Sequence, residues 1–455
     1  MDGYREKLLG LDRERLVDAL VKIAARPETA EDVIERLLNT PDEKRHRAKR
    51  AIADLKSGDQ YYDWRASHAF ALELEGVVET IVESAASPEE GIELLAEFFE
   101  ADRDAIECAD DSDGQIGAVY SMDATHAFIA FGQQCNDKAW LAERVIELLA
   151  GDDYGLREDL LESARDMFPE DSLRAMAERL WMMAEELPSG NHSADYRRRK
   201  CFVGVQTLAR QLGDAPLYEK ATRAAGPDFG GALPLDVARI YLETGDAGAA
   251  LRLVKSADVG EAYRPEKDEL LYTIHERQKN RAAWEEVAWR IFRRRRAADT
   301  FEQLLRAIGP RRRNTVLREE RKAILEEPRL SCADAAFLIE TGCLDDAAKY
   351  VLKHADQLIR AGHHDLAPMA EALENGGHPL AATLCYRALT DAVLARGASN
   401  DYHHGVRYLK RLDALAPAIT GWGEFPGHRE YVQRIVENHK RKRSFWGQYG
   451  GIPGV

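Results

Sequence analysis

No CxxC pair occurs in this chain of 455 residues: Cys108, Cys135, Cys201, Cys332, Cys343 and Cys385 stand far apart. Such spacing indicates neither a disulfide framework nor a zinc ribbon, and reads as reduced thiols in a core. Proline is sparse at 16 and glycine ordinary at 33, which excludes collagen-like and linker-rich chains. No apolar stretch reaches the length of about 18 residues that a membrane helix needs. The first ten residues carry charges where a signal peptide would be apolar, so a cytoplasmic protein without membrane contact is expected. GxGxxG, GxxxxGK[ST] and GxSxG are all missing, and no cysteine has an activating neighbour, so no dinucleotide crevice, phosphate loop or nucleophile elbow is indicated. Alternating β-branched runs are missing too. The best of them, residues 116–120, is short and more easily helical. Basic excess is absent: the formal charge is −16, which argues against a dedicated duplex-DNA binder.

What is present is a recurring helical unit. Three times in residues 233–396 a helix-like run ends in glycine and is followed by a run holding an alanine pair. These are Ala238…Thr244-Gly245…Ala249-Ala250, Ala336…Thr341-Gly342…Ala347-Ala348 and Ala370…Asn375-Gly376…Ala381-Ala382. Each reads as a helix-turn-helix hairpin. The glycine supplies the positive φ that ends the first helix, and the alanines let the second pack closely. A chain of this length is too long for one core, and stacked hairpins let it grow lengthwise as a solenoid.

The N-terminal part is helical as well. Leu16, Val17, Leu20, Ile23 and Ala24 form one stripe of a 3.6-residue repeat. Thr40-Pro41-Asp42-Glu43 and Ser87-Pro88-Glu89-Glu90 each put a hydroxyl at the N-cap, proline at N1 and glutamate at N3, capping boxes that contribute about 1 kcal/mol each. Ser57-Gly58-Asp59 is hinge-like. Trp181-Met182-Met183 reads as core filling, and residues 188–195 alone in the middle of the chain have linker composition. The expected division is an N-terminal helical module over 1–190, a solenoid over 196–427, and a C-terminal helix with a basic-aromatic tail over 428–455.

Four features carry candidate chemistry. Residues 73–113 hold fifteen acidic side chains and one basic, Arg103, a strongly negative face. Within it, Asp110-Asp111-Ser112-Asp113-Gly114 resembles a calcium loop. Counting from its glycine, however, puts Ala109 at position one and Tyr120 where a bidentate glutamate belongs, so it reads as an Asx-rich turn or an acidic cluster gripping an arginine. His354, His363-His364, His378 and His403-His404 could assemble a metal site if the hairpins brought them together, but adjacent helical histidines diverge and no HExxH accompanies them. Residues 290–322 count twelve basic to four acidic, including Arg293, Arg294, Arg295 and Arg296, then Arg311, Arg312 and Arg313. This belt is a solvated surface, a patch for RNA or another phosphate-bearing partner, or a match for the acidic face of the same or a second copy, giving a homo-oligomer. In the tail, Lys440, Arg441, Lys442 and Arg443 lead into Phe445 and Trp446, which either cap the last groove or stay exposed as a handle, single-stranded nucleic acid being one candidate partner.

Tyr62-Asp63-Trp64-Arg65, the Asp-rich loop with Gly117, Asp153-Tyr154-Gly155, Trp284…Trp289…Phe292 and His439-Lys440-Arg441-Lys442-Arg443-Ser444-Phe445-Trp446 together resemble a bacterial family of helical proteins of unknown function. Residues 284–305 also look like the helical region that follows the zinc finger in SWIM-type proteins. The chain lacks CxC followed by CxH, so no zinc finger carries over. The resemblance implies an α-helical interaction scaffold. Asp63, Arg65, Asp111, Asp113, Asp153 and Tyr154 are expected to converge in one buried polar network that fixes the N-terminal helices.

The sequence therefore predicts an all-α, right-handed stack: a helical module followed by a tetratricopeptide-like α-solenoid. It is expected to be non-enzymatic, without cofactor or catalytic residues, and to bind a protein or peptide along its concave face. The alternatives are a nucleic-acid-associated adaptor using the Arg-rich belt and basic tail, and a metal-dependent hydrolase using the Asp-rich loop.

Overall fold

Helix starts set the frame. The computed structural model describes residues 40–57, 61–188, 192–226 and 232–453, together with Arg13 and Val17. The stripe expected over 16–24 lies, apart from Val17, outside the described residues, as do Gly58 and Asp59. At α1 (Pro41–Ser57) the Thr40 amide donates to Glu43 Oε2 at 2.8 Å, and the Glu43 amide donates to Thr40 Oγ1 at 3.4 Å, the expected capping box. After α2 (Ser67–Ser84), α3 (Pro88–Phe99) starts the same way: the Glu90 amide donates to Ser87 Oγ at 3.2 Å. There the Glu90 carboxylate reaches one residue further back, accepting from the Ala86 amide at 2.7 Å.

The chain divides into two compact units, residues 1–259 and 260–455. In the first, α4 (Asp102–Glu107), α5 (Gln115–Ala118), a π-helical turn over Val119–Ala124, and α6 (Thr125–Gln134) follow. Residues 116–120, expected to be helical and not a strand, lie in α5 and the π turn; among the described residues no strand forms, and Tyr62 and Ala109 make an isolated bridge. Then come α7 (Lys138–Ala150), α8 (Glu158–Glu162), α9 (Ala164–Met167), α10 (Glu170–Glu186), α11 (His192–Leu212), α12 (Ala215–Ala225), α13 (Leu233–Glu243) and α14 (Ala247–Ser256). A boundary at residues 188–195 is not where the units part. The helices on either side of it, α10 and α11, pack against one another, and one apolar core runs from Ala48 through Phe99 and Leu180 to Val205, Leu208 and Ala221. Linker composition at this point therefore does not coincide with a break in the core.

The second unit runs α15 (Arg264–Arg277), α16 (Arg281–Arg294), α17 (Ala298–Ile308), α18 (Arg313–Glu326), α19 (Cys332–Glu340), α20 (Leu344–Lys353), α21 (His363–Asn375), α22 (Pro379–Arg396), α23 (Tyr402–Leu415), α24 (His428–His439) and α25 (Arg443–Tyr449). Its core joins Phe292, Phe301 and Phe337, mutually tilted or edge-on at 5.5–5.6 Å, to Tyr386, Tyr408 and Trp446. The tail is therefore part of this unit and not a separate piece.

All three hairpins form, as α13–α14, α19–α20 and α21–α22. Gly245 (φ 96°) and Gly342 (φ 79°) take the left-handed conformation as expected. In the third, the left-handed residue is Gly377 (φ 80°), not Gly376. Gly376 serves close approach instead: a Cβ there would lie 2.8 Å from Leu344 Cδ1. Ala250, Ala347 and Ala382 are fully buried where the paired helices meet.

Candidate functional site

The first unit holds a groove of about 320 Å³ walled by α7, α8, α10 and α11. Ile146, Leu149, Leu161 and Leu180 form its apolar floor, and Met183, Leu187, Val203 and Thr207 rise toward the mouth. Helix α11 can come this close because residue 204 is glycine: a Cβ would sit 2.9 Å from Leu180 Cδ1 and 3.2 Å from Leu161 Cδ2. The Trp181-Met182-Met183 run is only partly core, since Met182 is half exposed and Met183 lines the groove. The volume is about twice that of the roughly 150 Å³ apolar cavity known to accept benzene, and falls at the low end of ordinary ligand pockets.

Charge sits at the rim. Glu158 and Glu162 on α8 and Glu186 on α10 face Arg197 and Lys200 on α11. Lys200 is already committed: its ammonium lies 3.2 Å from the buried Asp152 carboxylate and also donates to the Asp152 carbonyl. Asp152 Oδ1 in turn accepts the Gly155 and Leu156 amides at 2.8 and 3.1 Å, an Asx turn closed by Gly155 at φ 76°. That loop delivers Arg157, whose fork takes both oxygens of Asp102 at 2.8 Å and also donates to the carbonyls of Phe99 and Leu148, at 2.6 and 3.0 Å. Both partners are about 97% buried.

The six residues expected to share one buried network do not converge. Asp63, Arg65, Asp113, Asp153 and Tyr154 are exposed. Asp63 accepts the amides of Arg65 and Ala66 and starts a local turn, while Arg65 lies over its neighbour Trp64. Asp111 accepts the Ile116 and Gly117 amides at 2.8 and 2.9 Å, and Asp113 accepts from Gln115 at 2.6 Å, so the Asp-rich loop is an Asx-type helix start. Asp153 and Tyr154 do meet, at the surface, through Arg103 and Glu107. The charged side chains buried here are instead the Asp102–Arg157 pair and, separately, Asp152 with Lys200 at its carboxylate, which the motifs left out. An Asp-x-x-Gly spacing could have pointed to Asp152, whereas Arg157 finds its partner 55 positions away and leaves no local signal.

The other candidates are mostly spent inside the second unit. Arg294 pairs with buried Asp268, Arg295 with Asp299, Arg296 with Glu320 and Asp334, Arg312 with Glu285, and Arg313 with Glu302. Arg293 covers Trp289 at 4.9 Å, and Arg311 is exposed. In the tail, Phe445 and Trp446 are buried against the core, Lys442 approaches the Tyr402 hydroxyl at 3.4 Å, and Lys440, Arg441 and Arg443 are exposed. As an exposed handle, Phe445 and Trp446 are therefore corrected: they fill the space beside α23.

His363, His403 and His404 do come together, with ring centroids 3.9 Å apart for the last two and 6.0 Å for the outer pair. Among the described residues, however, no group of three or more His, Cys, Asp or Glu is placed to hold a metal. His354 is buried, with Gln357 donating to its Nδ1 at 3.3 Å. Burial first, and the Lys353 cation second, hold this imidazole below its usual range. A depressed value in the folded state means that the neutral ring stabilises the fold above about pH 6.5, and that this contribution is lost as pH falls below it. The urea midpoint is expected to drop between pH 7 and pH 5, and His354→Phe to flatten part of that drop; an unchanged slope would count against the assignment.

No helix among the described residues is long and apolar enough to cross a membrane. No curated protein matches the chain. A solved structure described as a circular tandem repeat protein with novel repeat topology and enhanced subunit contact surfaces is similar at 15% identity over 92% of this chain and 90% of that one, with a TM-score of 0.21. The family of unknown function DUF6880 matches over residues 6–448, and the chain belongs to that family.

Proposed function

We propose that this protein is a non-enzymatic interaction scaffold that binds a protein partner, and that the groove of the first unit receives the partner's apolar side chains. One observation carries the reading: an open apolar groove of about 320 Å³, floored by leucines and isoleucine, with charge confined to its rim. Grooves of this kind on helical surfaces accept side chains projecting from a partner segment, and exposed apolar surface framed by polar residues is the usual mark of such a contact. Half-exposed Val203 and Met182 extend the apolar surface of α10 and α11. The nucleic-acid alternative gains little, because five of the seven belt arginines are held by carboxylates of their own unit. The metal-hydrolase alternative gains nothing from an Asp-rich loop whose carboxylates cap amides.

Thr207→Trp fills the groove from its mouth. Comparing proteins retained from the host's extract by the unaltered chain and by this variant, after nuclease treatment, tests the reading. A partner lost with Thr207→Trp but kept when Arg311, Arg312 and Arg313 are all changed to alanine is the expected result. Equal retention by both chains would remove the groove from consideration.

A further inference from the structure

The geometry points to a cationic amphipathic helix as the segment that occupies this groove. The inference rests on the groove reading above and adds the partner's shape and sign of charge. Shape follows from backbone chemistry. The groove walls are helices whose amides and carbonyls are bonded within themselves, and no strand edge exists among the described residues. A segment entering an apolar groove must then satisfy its own backbone, which a helix does and an extended peptide does not. The volume holds about two side chains of leucine size, which a helix presents from neighbouring positions three or four apart.

Charge follows from the rim. Glu158, Glu162 and Glu186 are exposed and without ion pairs among the described residues, whereas Lys200 is neutralised by Asp152. Arg197 alone opposes three carboxylates across the mouth. Exposed ion pairs are individually weak and screened by salt, so the three together are expected to give roughly tenfold in affinity at low ionic strength.

Three synthetic peptides of about 15 residues, a length at which helices begin to persist, test this against the full chain. One has leucines at i, i+3, i+4 and i+7 with lysines between. The second has glutamates in place of the lysines. The third keeps the lysines but scrambles the leucines. The leucine–lysine peptide is expected to bind roughly tenfold more tightly than either of the others. Its advantage over the leucine–glutamate peptide should shrink in high salt. It should also vanish in the triple variant Glu158→Gln, Glu162→Gln, Glu186→Gln, but persist in a control with Asp113, Asp123 and Asp166 changed to asparagine. If both leucine-patterned peptides bind equally and Thr207→Trp abolishes both, the charge assignment is overturned while the groove reading stands. If binding of every peptide ignores Thr207→Trp, the groove reading itself falls.

Discussion

Replacing Arg157 by alanine is expected to destabilise the first unit by about 3–5 kcal/mol in urea unfolding, the range found when one partner of a buried ion pair is removed. The guanidinium is about 97% buried, as is its partner Asp102. Truncation leaves the Asp102 carboxylate uncompensated, and it also strips two carbonyls, those of Phe99 and Leu148, of their donor. Phe99 closes α3 and Leu148 lies in the last turn of α7, positions whose carbonyls have no partner within the helix. One side chain therefore ties two helix ends to the start of α4.

That arrangement separates charge from geometry. Arg157→Lys keeps the cation but cannot fork onto both Asp102 oxygens while serving two carbonyls, so it is expected to recover less than half of the loss. Swapping both partners for apolar residues, Asp102→Leu with Arg157→Met, often costs nothing for an isolated buried pair. Here it should still cost about 1–3 kcal/mol, because the two carbonyls remain unsatisfied. A double variant as stable as the original chain would show that the carbonyl contacts contribute nothing. An Arg157→Ala loss below about 1 kcal/mol would show that the pair is not structural, being then no larger than an ordinary surface change.

What could be read from the sequence was local. Thr40 with Glu43, and Ser87 with Glu90, are three residues apart, and their caps form as the spacing requires. Gly245 and Gly342 end helices for the same local reason. At Gly376-Gly377 the pattern could not say which glycine turns the chain, because that depends on Leu344, brought there by folding. The groove was illegible: its lining is spread from Ile146 to Thr207 over four helices, and the glycine that admits α11 has no motif around it. The arginine belt was visible as composition, yet its meaning lies in carboxylates such as Asp268 and Asp334, 26 and 38 positions from the arginines they hold. Composition shows a surplus of charge; only the fold shows how much of it is already used.

The tail poses the second large expectation, because both of its readings were open from sequence and they differ in what mutation does. Trp446→Ala is expected to cost the second unit about 3–5 kcal/mol, the usual loss for removing a buried indole. Trp446 is 2% exposed and packs edge-on against Phe445 at 5.1 Å and Tyr449 at 6.0 Å. Its Nε1 donates to the His439 carbonyl at 2.9 Å, which bends the chain back from α24 so that α25 lies on α23. Phe445 completes the seat, edge-on to Tyr402 at 5.7 Å, and at Gly405 a Cβ would come within 3.0 Å of its ring. Trp446→Phe keeps most of the apolar fill and loses the hydrogen bond, so a smaller loss is expected. Lys440→Ala and Arg441→Ala, both at exposed positions, should move stability by no more than about 0.5 kcal/mol. An interaction handle would behave the opposite way, with the aromatic substitutions silent in unfolding. If Trp446→Ala unfolds at the same urea concentration as the unaltered chain, α25 does not hold the end of the second unit in place.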